Sequence, residues 1–78
     1  MVKIKLNTIQ DVDDFIAITT KMAGEVYAHQ GRYVVSAKSI MGLFALSHLI
    51  PFDLESDDYD DQTLKILFTN FIWNQEIK

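Results

Sequence analysis

The side chains able to do chemistry in this chain of 78 residues are few and widely spaced. It contains two histidines, His29 and His48, and no cysteine, so imidazole is the best available carrier of a proton or phosphoryl group. His29 falls late in a predicted strand. His48 falls at the end of a predicted short helix, where the helix dipole opposes a phosphate. We therefore expect both to be surface or capping residues, and we predict no catalytic residue.

Acidic side chains form the densest set of possible metal ligands. They lie in two groups, within residues 11–14 and within residues 53–61. The second group lacks the glycine and the terminal glutamate of a calcium-binding EF-hand loop. A solvated strand face followed by a helix, with Asp58 or Asp60 as its N-cap, accounts for these acids more simply. We predict no metal site and no cofactor.

A serine at the start of a short apolar segment is the most informative chemical group. Ser39 is preceded by Lys38 and followed by Ile40, Met41 and, after a glycine, Leu43. As an N-cap, its hydroxyl would accept a backbone N–H and stabilise the helix by about 1 kcal/mol. The same position suits a phosphoryl group, because the helix dipole favours negative charge there, and Lys38 would help to neutralise it. The sequence leaves both uses of Ser39 open.

Composition and charge predict one soluble globular domain over residues 1–78. Hydrophobic residues make up 49% of the chain and charged residues 23%, which is ordinary for a folded protein too short for two cores. The net charge of −4, with Arg32 as the only arginine, argues against a nucleic-acid partner. No apolar run approaches the roughly 20 residues of a membrane span, and the lack of cysteine fits a reducing compartment. We expect a cytoplasmic protein with no membrane partner.

Hydrophobic periodicity predicts the element order β-α-β-β-α-β-α. Alternation predicts strands and a spacing of three to four predicts helices, at residues 2–6 (strand), 11–22 (helix), 25–29 and 32–37 (a hairpin), 39–47 (helix), 52–56 (strand) and 60–73 (helix). Each strand has one polar face, so the helices are expected to cover the other face. The predicted fold is an α+β open-faced β-sandwich, with a four-stranded antiparallel sheet and three helices on one face.

Residues 31–42, with the sequence GRYVVSAKSIMG, resemble the regulatory-serine segment of HPr, the small phosphocarrier of the bacterial sugar phosphotransferase system. The predicted element order is also that of the HPr fold over essentially the whole chain. The resemblance implies that Ser39 matches the serine that a dedicated kinase phosphorylates in HPr of low-GC Gram-positive bacteria. It also implies that Ile40, Met41 and Leu43 match the exposed apolar patch through which HPr docks its partners.

The phosphohistidine site of HPr has no chemical equivalent in this chain. In HPr a His-x-Arg-Pro pattern opens the first helix, and the aligned positions here are Thr8, Gln10 and Asp11. A threonine hydroxyl does not replace imidazole as a reversible high-energy phosphoryl carrier. Carboxylates at residues 11–14 would also repel a phosphoryl group, by up to about 4 kcal/mol at about 4 Å and a surface dielectric of ~20. We interpret the chain as HPr-like without the phosphohistidine.

These inferences predict a non-catalytic regulatory or adaptor protein related to the sugar phosphotransferase system. The predicted partner-binding residues are Lys38, Ser39, Ile40, Met41, Leu43 and Phe44. By analogy with the catabolite-repression paralogue of HPr, the partner is a phosphotransferase-system component, an HPr kinase or a transcriptional regulator. Two alternatives stay open: an active phosphocarrier that uses His29 or His48, and an assembly role through the open sheet face or the region of Trp73.

Overall fold

The computed structural model describes residues 1–73, so the last five residues of the predicted domain, 74–78, lie outside the described residues. The predicted element order is confirmed. The elements are β1 (Val2–Ile4), α1 (Ile9–Thr19), β2 (Val26–Gln30), β3 (Tyr33–Ser36), α2 (Ile40–Phe44), β4 (Phe52–Ser56) and α3 (Asp61–Leu67), followed by a 3₁₀ turn (Thr69–Phe71).

The four strands form one antiparallel sheet in the order β1-β4-β2-β3. A row of apolar residues crosses the sheet in register, because Leu54 faces both Val2 and Ala28, and Ala28 also faces Val35. Val2, Leu54 and Ala28 are buried under the helices, and Val35 packs against the core they form. The α+β open-faced sandwich predicted from periodicity is confirmed.

The other face of the sheet is polar and open. Lys3 faces Asp53 across β1 and β4, and their charged groups lie 3.0 Å apart. His29 pairs with Glu55 on the same face, beside the half-exposed Tyr27. Largely exposed pairs of this kind contribute little to stability, about 0–1 kcal/mol each.

A cluster of phenylalanines joins α1 to the sheet and to the end of the chain. The Phe15 ring meets Phe52 edge-on with centroids 5.7 Å apart, and it lies 4.9 Å from Phe68 and 6.1 Å from Phe71. Phe15 and Phe68 are fully buried. Large aromatic rings supply much of the buried apolar area of a small core, so this cluster positions α1 against β4.

The first helix begins earlier than predicted. Thr8 is its N-cap: the Thr8 Oγ1 accepts a hydrogen bond from the Asp11 N–H at 3.0 Å, and the Asp11 carboxylate accepts one from the Asn7 N–H at 2.9 Å. The predicted start of this helix at residue 11 is therefore wrong, because α1 begins at Ile9. The Thr8 side chain satisfies one of the N–H groups that a helix start leaves unpaired, and the Asp11 carboxylate holds the residue before the cap.

The second and third helices are shorter than predicted. α2 ends at Phe44 instead of residue 47, because Ser47 is hydrogen-bonded to the Gln30 side chain on β2. α3 ends at Leu67 instead of residue 73. Beyond the 3₁₀ turn the chain runs along the free edge of β1, where the Trp73 N–H donates to the Lys3 carbonyl O at 2.9 Å.

Candidate docking surface

Ser39 and Gly42 fix the position of α2 against the sheet. The Ser39 Oγ accepts the Gly42 N–H at 3.0 Å, which confirms that Ser39 caps this helix. Gly42 brings the helix close to β3, since a Cβ added there would lie 3.1 Å from the Val35 Cβ. Glycine is otherwise unfavourable inside a helix by up to about 1 kcal/mol relative to alanine, so close packing explains its presence.

The apolar residues of α2 differ in exposure, because one side of this short helix faces the core and the other faces solvent. Leu43 is only 1% exposed and belongs to the core, whereas Ile40 is 40% exposed, Met41 76% and Phe44 45%. Residues spaced by three or four along a helix share a face, so these three exposed residues are contiguous. We call Ile40, Met41 and Phe44 the α2 ridge. The expectation that Leu43 belongs to the docking surface is wrong, because Leu43 is the residue that anchors α2 to the sheet.

Lys38 is engaged within the molecule. Its ammonium donates to the Met22 carbonyl O at 2.7 Å, and its backbone N–H donates to the Ser36 Oγ at 3.2 Å. The half-buried side chain thus ties the end of the α1 segment to the turn before α2. The Met22 carbonyl O therefore holds the Lys38 ammonium in this structure, and the part of Lys38 in partner binding stays a prediction.

A groove lies between the first turn of α1 and the end of α2. We call it the α1–α2 groove, and its volume is about 270 Å³. The residues that line it are Asn7, Thr8, Ile9, Val12, Phe44 and His48. Phe44 belongs to both the ridge and the groove, and Ile9 is exposed on the opposite wall. The ridge and the groove therefore form one continuous surface with an apolar centre.

The two histidines occupy different environments. His29 lies on the open sheet face with Glu55. The sequence predicts His48 at the C-terminal end of a helix, but α2 ends earlier and His48 lies in the following loop, in the wall of the α1–α2 groove. Its ring centroid is 6.0 Å from that of Phe44. Sequence reasoning misses this position because the path of the loop depends on contacts with β2, which lies far away along the chain.

The three positions aligned with His-x-Arg-Pro all make contacts at the start of α1. Thr8 and Asp11 share the capping arrangement described above. The Gln10 Nε2 donates to the Asp14 carboxylate at 2.9 Å, one turn further along the helix. These three side chains therefore stabilise the beginning of α1 through hydrogen bonds.

The acidic segment 53–61 is used by the fold in several separate ways. Asp53 and Glu55 make the pairs of the open sheet face. Asp60 caps α3, as predicted, and accepts the Thr63 N–H at 2.8 Å. Hydrogen bonds from the Thr63 side chain and backbone lower the pKa of Asp60 below its ordinary value of 3.8. Asp58 lies against Gly24 and does not cap the helix.

Comparison of the chain with protein-family models, with curated proteins and with solved structures gives no match. The residues and their arrangement are therefore the basis for inferring a function. None of the helices within residues 1–73 has both the length and the apolar character needed to cross a membrane.

Proposed function

We propose that the protein is a non-catalytic, HPr-like adaptor of the cytoplasm that binds a protein partner through the α2 ridge. The observation that carries this proposal is the exposure of Ile40, Met41 and Phe44 side by side next to the buried Leu43. Contiguous exposed apolar side chains on a small protein usually mark an interaction surface. Methionine suits such a surface, since its flexible thioether adapts to the shape of a partner.

The start of α1 supports an adaptor over a phosphocarrier. The position aligned with the phosphohistidine is Thr8, whose hydroxyl caps the helix. The position aligned with the proline of the motif is Asp11, which brings a negative charge to the place where a phosphoryl group would need positive partners. An adaptor keeps the docking surface of the family without needing this chemistry.

Phosphorylation of Ser39 is the regulatory part of the proposal. Ser39 directly precedes Ile40, so a phosphate there would stand beside the α2 ridge. It would add nearly two negative charges next to the Gly42 N–H, which the Ser39 Oγ accepts in the unmodified protein. By analogy with the catabolite-repression paralogue, the partner is a phosphotransferase-system component, an HPr kinase or a transcriptional regulator whose affinity depends on this charge.

The docking surface is tested by co-purification from the native cell, followed by titration of each purified partner. Met41→Asp should weaken the binding of the true partner by about tenfold or more, because it places a charge in the centre of the ridge. Ile66→Asp is the matched control, since Ile66 is an exposed apolar residue on α3. A partner that binds Met41→Asp as tightly as the wild type would place the docking site elsewhere.

The regulatory part is tested with purified HPr kinase and ATP. We expect phosphate on Ser39, none on Ser39→Ala, and a change in partner affinity only for the phosphorylated wild type. If the two proteins behave identically and neither takes up phosphate, the regulation by Ser39 is removed from the proposal while the docking surface stands.

One observation favours a second candidate function, an active phosphocarrier. His48 lines the same groove as Thr8, the position aligned with the phosphohistidine. In this case incubation with phosphoenolpyruvate and Enzyme I would give an acid-labile phosphate that His48→Ala abolishes and His29→Ala retains. The adaptor proposal expects no such phosphate on any of the three proteins.

A further inference from the structure

We infer that β3 is the contact strand of a weak homodimer, in which the β3 strands of two copies pair antiparallel about Val34 and join two four-stranded sheets into one. This inference goes beyond the proposed function and does not depend on it. It is carried by the backbone groups on the outer side of β3, by the side chains of that strand and by the distribution of charge in the chain.

The two edges of the sheet differ in how they are covered. At the β1 edge, the Lys5 N–H donates to the Phe71 carbonyl O and the Trp73 N–H to the Lys3 carbonyl O, both at 2.9 Å. β3 forms the opposite edge, and within residues 1–73 no strand or bridge covers its outer side. A free edge presents unpaired N–H and C=O groups, which are a template for pairing with another strand.

The hydrogen-bond pattern of the β2–β3 hairpin determines which backbone groups point outward. Just beyond the end of β3, the Ala37 N–H donates to the Val26 carbonyl O at 2.8 Å. Bonded and non-bonded pairs alternate along an antiparallel ladder, so every second residue of β3 bonds to β2. Counting back from Ala37, the N–H and C=O groups of Val35 and Tyr33 point toward β2. Those of Val34 point away from it.

Backbone groups of Val34 and Ser36 are therefore open to a second strand. The N–H and the C=O of Val34 both face outward, as does the N–H of Ser36, whereas the Ser36 carbonyl O already accepts the Ser39 N–H at 3.1 Å. Two copies that meet at Val34 exchange its N–H and C=O in both directions. The Ser36 N–H of each copy then faces the Arg32 carbonyl O of the other, which adds a further pair of hydrogen bonds.

The side chains of β3 suit pairing of this strand with itself. Val34 is 55% exposed and Tyr33 64%. In the register about Val34, the two Val34 side chains oppose each other on the open sheet face, and Tyr33 meets Val35 of the second copy on the other face. Pairs of β-branched and aromatic residues stabilise a sheet. β3 also contains no proline or charged residue, and no bulge interrupts its register, so it lacks the features that protect edge strands.

The charges of the chain do not oppose this contact. Residues 30–52 contain no aspartate or glutamate, so the net charge of −4 arises elsewhere in the sequence. In the sheet, Asp53 and Glu55 lie on β4, two strands away from the β3 edge. The two copies of β4 would be about 24 Å apart at the usual strand spacing, well beyond the Debye length of about 8 Å. A second copy therefore meets this edge with matched apolar side chains and without opposed charges.

The contact is short, so the dimer should be weak. β3 has four residues, and pairing along one such edge buries less than the roughly 1,200–2,000 Å² of a stable specific interface. We expect a dissociation constant on the order of 100 µM. The protein would then be monomeric when dilute and dimeric where its local concentration is high.

Sedimentation equilibrium of the full chain, from about 10 µM to about 1 mM, measures the dissociation constant. Val34→Lys and Val34→Glu should each raise it by about tenfold or more, because like charges oppose each other across the two-fold axis. An equimolar mixture of the two variants should associate at least as tightly as the wild type, since Lys then faces Glu. Ile66→Lys, at an exposed apolar position of α3, is the matched control and should leave the constant unchanged.

Amide hydrogen exchange of the wild type gives a second readout that needs no variant. At about 1 mM, where about four fifths of the chains would be dimeric, exchange of the Val34 N–H should be about fivefold slower than in dilute protein. The Val35 N–H already bonds to β2, so its exchange should not respond to this contact directly. This difference between neighbouring amides keeps the test valid if the Val34 variants are poorly folded.

Each other outcome overturns the inference. A wild type that stays monomeric to about 1 mM has no such dimer. A dimer that both Val34 variants retain uses another surface, and a mixture of the two variants that fails to associate excludes the two-fold register about Val34. A monomeric protein that loses its partner through Val34→Lys would make a partner strand the occupant of this edge. The α2 ridge is tested separately by Met41→Asp, so these results leave the proposed function standing.

Discussion

Gln30, at the end of β2, and Ser47, in the loop after α2, exchange two hydrogen bonds. The Gln30 Oε1 accepts the Ser47 N–H at 2.7 Å, and the Gln30 Nε2 donates to the Ser47 carbonyl O at 2.9 Å. The same amide nitrogen lies 3.3 Å from the Ile50 carbonyl O. Because Gln30 is 8% exposed, water replaces these bonds poorly. The Gln30 side chain thereby holds the loop after α2 in place. This loop carries His48, which lines the α1–α2 groove.

Replacing this glutamine by an apolar residue is expected to destabilise the fold. Gln30→Leu leaves the Ser47 N–H without its partner, along with two carbonyl groups, and should lower the free energy of unfolding by about 1–3 kcal/mol. Urea unfolding measures the loss. Gln10→Leu, the same exchange at an exposed position of α1, should stay within about 0.5 kcal/mol of the wild type. Equal losses of unfolding free energy in the two variants would show that the Gln30 hydrogen bonds do not stabilise the fold.

Removal of the α1 cap should also be measurable. Thr8→Ala deletes the oxygen that accepts the Asp11 N–H and should cost about 1 kcal/mol of unfolding free energy. Thr8→Ser keeps an accepting oxygen and should remain close to the wild type. Thermal and urea unfolding compare the three proteins, and identical behaviour of Ala and Ser at this position would contradict the capping role.

Features that depend on neighbouring residues could be predicted from the sequence. β4 follows the alternation of Phe52 and Leu54 with acidic residues, and its bounds match the predicted strand 52–56. Ser39 and Asp60 cap helices through bonds to N–H groups three residues further along the chain. Short-range side-chain-to-backbone bonds and strand alternation are local properties, so one sequence is enough to indicate them.

Features that depend on distant contacts could not be predicted. α2 ends early because Ser47 meets Gln30, 17 residues away in sequence. The inward orientation of Leu43 and the outward orientation of Met41 depend on how α2 is rotated against β3, which periodicity over five helical residues does not fix. His48 enters the groove for the same reason. The sequence therefore indicates where the exposed apolar ridge lies, but it does not separate every exposed member from its buried neighbour.

Substitution of Gly24, between α1 and β2, should destabilise the protein because of its backbone conformation. It has a φ of +70°, and a Cβ added there would lie 2.0 Å from the Asp58 carboxylate. Gly31, in the hairpin turn, has a φ of +59° with nothing within 4 Å of the added Cβ. Left-handed backbone alone costs a residue with a side chain about 1–2 kcal/mol, so Gly31→Ala should lose that amount and Gly24→Ala somewhat more.

The contact with Asp58 separates the two effects at Gly24. In the Asp58→Ala background, Gly24→Ala should cost no more unfolding free energy than Gly31→Ala does in the wild type. Urea unfolding of the four proteins in this cycle, together with Gly31→Ala, supplies the comparison. A cost at Gly24 that does not change when Asp58 is removed would mean that the carboxylate turns away and only the backbone strain remains.

The cap of α3 predicts part of the acid sensitivity of the protein. The pKa of folded Asp60 is lowered from its ordinary value of 3.8, chiefly by the Thr63 side-chain bond. Its ionised form therefore stabilises the fold above the unfolded pKa, and this contribution is lost as the pH falls through the folded pKa. Asp60→Asn keeps a good N-cap that does not titrate. The difference in unfolding free energy between wild type and Asp60→Asn should be constant near neutral pH. Below about pH 4 the wild type should lose stability relative to Asp60→Asn.

Leu43 and Met41, on either side of Gly42 in α2, should differ strongly in how much their substitution destabilises the protein. Leu43→Ala removes a core side chain and should cost about 2–5 kcal/mol of unfolding free energy. Met41→Asp alters an exposed side chain and should stay within about 0.5 kcal/mol of the wild type. Urea unfolding tests both variants. If Met41→Asp proved as destabilising as Leu43→Ala, the ridge would be part of the core and a loss of partner binding in that variant would only report unfolding. With the expected result, the loss of binding is attributable to the surface itself.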